Sequence, residues 1–131
     1  MTPDDLKQRT RQLALRVVRM VESLPNTRTA DVIGKQLLRC GMSVGANYRA
    51  ACRARSRADF TAKMGIVEEE ADETLFWLEL LEESRLVTAA KLSAIKLEAN
   101  ELIAITVASI KTARRNRSSH SALRVPNSAL E

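Results

Sequence analysis

Prolines fall only outside the long periodic stretches of this chain, and that placement restricts it to a few long helices. Apolar residues recur every three to four positions through four segments, while Pro3, Pro25 and Pro126 all lie outside them. A proline removes an amide and clashes with the preceding turn, so stretches without one can run on unbroken. Only four glycines occur in 131 residues, too little turn punctuation for a protein of many short strands. The expected fold class is all-α.

The periodicity places the first helix at about 4–24, on Leu6, Leu13, Val17, Met20, Val21 and Leu24, with Pro25-Asn26 as its stop. The second, at about 28–54, carries the stripe Ile33, Leu37, Cys40, Val44, Tyr48 and Ala51. The third, at about 57–84, opens on a capping-box pattern, Ser56 with Asp59. Its stripe is Phe60, Met64, Val67, Ala71, Leu75 and Leu78. The fourth, at about 88–115, starts from Thr88 as N-cap with Val87 stapled onto Leu92, and continues through Ile95, Ala99, Leu102, Ile103, Thr106 and Ile110. Short connections make neighbouring helices antiparallel, so residues 1–115 are expected to form an up-down-up-down four-helix bundle. Residues 116–131 lose the period and are expected to be a basic, flexible tail.

Several functional classes are disfavoured by what the chain lacks. Its only histidine, His120, falls in the tail, where nothing holds it for Ser/His/Asp or Cys/His catalysis or for a di-iron centre. There is no phosphate-cradling glycine loop and no paired CxxC. The acidic run Glu68-Glu69-Glu70-x-Asp72-Glu73 is spread around a helix rather than converging. The expectation is therefore no enzyme, no metal and no cofactor. Cys40 and Cys52 stand about 18 Å apart on one helix, too far to bridge, which suits reduced thiols in the cytoplasm. No apolar run approaches the ~20 residues of a membrane span, so no membrane partner is expected.

Charge is segregated by helix. Residues 26–58 carry seven basic side chains against Asp31 alone, while residues 59–84 carry nine acids against Lys63. At 100° per residue Lys35, Arg39, Arg49, Arg53 and Arg57 share one face of the second helix, opposite its apolar stripe, as a rail of about 33 Å. Such a rail suits phosphate, because guanidinium groups pair with it bidentately and release counterions from nucleic acid. It equally suits a solvated face or a neighbour's carboxylates, and no aromatic residue on it can stack a base. Arg114, Arg115 and Arg117 add a second basic cluster. The third helix bears a second apolar line, Ile66, Phe76, Trp77 and Leu80, which points to an oligomer interface. Gly34, Gly41 and Gly45 mark a thin patch on the second helix, either an internal packing seam or a subunit seam. Asn47 borders the apolar stripe, with Glu69 or Glu73 as expected partners if it is buried.

The segment from Gln36 to Leu81 resembles the four-helix-bundle family encoded in intervening sequences of bacterial 23S ribosomal RNA genes. The resemblance rests on Arg39, Ser43 and Asn47 on the second helix, Asp59-Phe60 opening the third, and Glu69, Glu73 and Trp77-Leu78 after it. One departure is Ala50, where the family usually has a glutamate. The resemblance implies a homo-oligomeric ring, typically five-fold. It extends to the accessory proteins of diversity-generating retroelements, which use such a barrel to engage a reverse transcriptase and nucleic acid. Two functions are thus expected to compete. One is a nucleic-acid-binding or accessory oligomer using the basic rail with RNA or DNA. The other is a protein-binding scaffold whose basic and acidic faces pair between subunits.

Overall fold

The computed structural model describes residues 1–116, which form four α-helices and no strand. They are α1 (Pro3–Glu22), α2 (Arg28–Cys52), α3 (Arg57–Glu83) and α4 (Ala89–Arg115). The tail, with Arg117 and His120, lies outside the described residues.

Local chemistry explains where each helix begins. At α1 the Asp5 amide donates to the Thr2 hydroxyl at 3.1 Å and the Thr2 amide donates to the Asp5 carboxylate at 2.9 Å, a complete capping box with proline at the first helical position. The box expected at α3 is only half made. The Asp59 amide donates to Ser56 Oγ at 3.0 Å, but the Asp59 carboxylate turns to the Arg55 amide and to Lys63 Nζ. Thr27 and Thr88 accept from the first-turn amides of α2 and α4. At the end of α3 the Leu86 amide donates to the Leu81 carbonyl and the Arg85 amide to the Glu82 carbonyl, a Schellman closure in which Arg85 sits at φ 62°.

α2 packs against α1 on one side and α3 on the other; α4 packs on α3 and touches α1 more sparsely. One apolar core runs through all four helices, with Leu13, Leu37, Tyr48, Phe60, Met64 and Leu102 among its fully buried members. Each such side chain contributes about 1.5–3 kcal/mol relative to exposure. The buried arc of α3 is centred on Thr74, Leu78 and Leu81, because it must face both α2 and α4, so Leu75 is left half-buried. The glycine patch is an internal seam. A Cβ at Gly41 would lie 2.8 Å from Val17, and one at Gly45 3.3 Å from Thr10. A Cβ at Gly34 would meet Val21 at 3.1 Å. Rising numbers on α2 meet falling numbers on α1, so these two helices are antiparallel.

Candidate nucleic-acid interface

The basic rail divides at the end of α2. The helix stops at Cys52 and the chain reverses through the next four residues, so the 100° extrapolation fails for Arg57. That residue sits in the first turn of α3 and is 9% exposed, with Nε and Nη2 buried and unpartnered among the described residues. It is not part of the exposed line, which shortens to the about 27 Å between Lys35 and Arg53.

The remaining members differ in how far their charge is already engaged. Lys35 Nζ lies 3.2 Å from Asp31 one turn away, a surface pair of about 0.3–0.5 kcal/mol that a ligand displaces easily. Arg39 is tied to α3: its guanidinium donates to Glu73 and, at 3.4 Å, to Glu70, and its Nε to Gln36 at 3.3 Å. Arg49 and Arg53 are exposed and have no carboxylate partner among the described residues.

Beside Arg49 and Arg53 lie two cations of α1 that the sequence analysis did not single out, Lys7 and Arg11. The four surround a groove of about 390 Å³ between α1 and α2, whose lining also includes Ala14, Met42, Gly45 and Ala46. No carboxylate lines it. The available signal was their i,i+4 spacing on the flank of the first apolar stripe, but which neighbour that flank faces depends on the packing. Arg114 and Arg115 are exposed in the last turn of α4.

The second apolar line of α3 is narrower than expected. Ile66 (41% exposed) and Phe76 (52%) project outward, while Trp77 and Leu80 are half-buried against their own core. The Phe76 and Trp77 rings meet edge-on, centroids 5.0 Å apart. Trp77 Nε1 donates to Glu73 Oε2 at 3.1 Å, and this bond, with the Arg39 guanidinium, holds the Glu73 carboxyl below its ordinary range. Asn47 does not reach Glu69 or Glu73. Its Nδ2 donates instead to the Ser43 carbonyl at 2.9 Å, and the Ser43 hydroxyl to the Arg39 carbonyl at 2.7 Å. Burial pushes the Cys40 thiol up, and both cysteines are free. Among the described residues no group of three or more His, Cys, Asp or Glu converges as a metal site. No helix among them is long and apolar enough to cross a membrane.

Arg39, Glu73 and Trp77 thus form one hydrogen-bonded chain across the α2/α3 seam, and they are three of the residues that carry the resemblance. The family model described as 23S rRNA-intervening sequence protein matches residues 4–108. The chain belongs to this family. A crystal structure at 1.70 Å of a protein with unknown function from the S23 ribosomal protein family of Bacteroides thetaiotaomicron VPI-5482 is also similar. It is 38% identical, covering 86% of this chain and 100% of that one, with a TM-score of 0.80. Comparison with curated proteins finds no match. The region shared with the 23S rRNA-intervening sequence family includes Lys7, Arg11, Arg49 and Arg53 and stops short of Arg114.

Proposed function

We propose that this member of the family is a non-catalytic, homo-oligomeric nucleic-acid-binding protein of the cytoplasm, which grips the phosphate backbone in the α1/α2 groove. The single observation that carries the reading is four cations, Lys7, Arg11, Arg49 and Arg53, around one groove with no carboxylate in its lining. Like charges gathered without counterions repel one another, and a polyanion relieves that repulsion while releasing its own bound cations. No aromatic side chain lines the groove, so recognition is of backbone rather than of stacked bases. The reading includes an up-down-up-down bundle and a ring, five-fold by family resemblance, assembled through Ile66 and Phe76 with Trp77 and Leu80 behind them.

An electrophoretic titration against duplex and single-stranded RNA and DNA tests it. Four phosphate contacts on a duplex predict that log K falls with log salt at a slope of about −3.6, and an Arg49→Ala/Arg53→Ala variant should flatten that slope by about 2. Absence of binding at low salt, or a variant that binds like the parent, removes the proposal.

The scaffold reading keeps one observation in its favour. Glu69, Asp72 and Glu83 of α3 are exposed with no cation partner among the described residues, and their charge is opposite to that of the groove. A Lys35→Glu/Arg39→Glu/Arg53→Glu variant that stays assembled by light scattering counts against it.

A further inference from the structure

Arg57 stands apart from the groove. It opens α3, it is 9% exposed, and its Nε and Nη2 find no acceptor among the described residues. An arginine does not shed its proton in a protein, and a buried cation without a counter-charge is strongly unfavourable until an anion covers it. The nearest acid in sequence, Asp59, is already committed. Both oxygens of Asp59 accept from Lys63 Nζ at 2.7 Å, and one also accepts from the Arg55 amide at 3.3 Å.

The surroundings favour an oxyanion. The first amides of a helix have no partner within it, and the Ser56 hydroxyl serves only that of Asp59, so the start of this 27-residue helix presents positive potential at the corner that holds Arg57. Arg53 and Arg55 flank it on the connecting turn, and every formal charge between Cys52 and Ala58 is positive. The last turn of α4 reaches the same end of the molecule. α1 runs antiparallel to α2, and Arg9 meets Glu98 and Glu101 while Arg16 and Arg19 share a groove with Lys91 and Ile95. Arg114 and Arg115 are therefore brought to the end where α2 hands over to α3.

The geometry points to Arg57 as the fixed cation of a binding site for one phosphate group at the α2–α3 corner. The phosphate comes from a nucleic acid or from free phosphate; the nucleic-acid source rests on the function proposed above, the free one does not. A planar guanidinium offers paired donors matched to two phosphate oxygens, helix amides offer more, and arginines on the turn close over the group.

The test is thermal unfolding of the full chain in rising inorganic phosphate, with chloride balancing the ionic strength. Phosphate should raise the melting temperature by several degrees near a hundredfold excess over its dissociation constant, and Arg57→Met should abolish the rise while leaving the helical circular dichroism intact. If Arg57→Met does not fold, the Arg57 Nε–H resonance of the wild-type protein takes its place and should shift on phosphate addition. A second arm compares duplexes with and without a 5′-phosphate. Tighter binding of the phosphorylated duplex that Arg57→Met erases assigns a nucleic-acid source; response to inorganic phosphate alone assigns the free one. No phosphate response by melting or resonance, or an equal response in Arg57→Met, overturns the site. A Lys7→Ala/Arg11→Ala variant, which alters the groove and leaves the corner intact, separates the two ideas. Loss of its duplex binding with the phosphate response kept locates the two sites independently, and failure of either leaves the other standing.

Discussion

Glu73 receives a guanidinium from α2 and an indole N–H from its own helix, and both prefer it ionised. Its carboxyl is therefore lowered from the ordinary 4.5, first by Trp77 and then by Arg39. A carboxyl depressed in the folded state stabilises the fold above its unfolded value, and that contribution disappears as the pH falls through the lower folded value. Stability should thus drop as the pH is taken below about 4.5, and Glu73→Gln should remove this step. Trp77 is the only tryptophan, so its emission reports the event directly. An acid titration of fluorescence should show a transition in the wild-type protein that Glu73→Gln lacks. The motif itself was visible in the sequence, but its role was not. Arg39 looked like one more member of an exposed rail, and only its distance to α3 reveals that its charge is shared with Glu73 and Glu70.

At the scale of the helix, termini behave differently from interiors. Periodicity located all four helices because an apolar stripe recurs whether or not the ends are known. The ends answer to local hydrogen bonds, and there the structure departs from expectation. Asp59 caps through the Arg55 amide rather than completing a box, and α3 closes on Arg85 in the left-handed region usually taken by glycine. A non-glycine residue there carries a steric cost from its Cβ. Arg85→Gly should therefore stabilise the protein by about 0.5–1 kcal/mol, the smaller end reflecting the extra freedom that glycine gives the unfolded chain. Chemical denaturation measures it, as a higher midpoint at an unchanged slope. The end of α2 departs furthest from expectation, because the reversal after Cys52 takes Arg57 off the exposed face and buries it.

For the molecule as a whole, the weakest seam is between its first and last helices. α1 and α4 touch sparsely, and Arg9 bridges them. Its Nε and Nη2 form a fork onto Glu98 at 3.0 and 2.7 Å, and Nη2 also reaches Glu101 at 2.7 Å. Paired donors on one partly buried carboxylate make this stronger than an ordinary surface pair. Arg9→Met keeps most of the apolar stem and deletes the fork, and should cost about 1–2 kcal/mol in urea denaturation. Amide exchange should speed up in α1 and α4 more than in α2 and α3, since the central pair keeps its packing. If the loss is spread evenly over all four helices, Arg9 does not act as a clasp between the outer two.

The sequence by itself determined the helical class, the number of helices and most of the core. Those features follow from proline placement and from a 3.6-residue period, both of which are local. It also carried the family, because Arg39, Glu73 and Trp77 are recognisable as a spacing before their contacts are known. Tertiary structure decided which charges remain available. Lys7 and Arg11 join Arg49 and Arg53 only because glycines on α2 let α1 approach closely, and Arg57 leaves them only because the chain reverses. A charge's identity is written in the chain, but its solvation and its partners depend on which helix faces which.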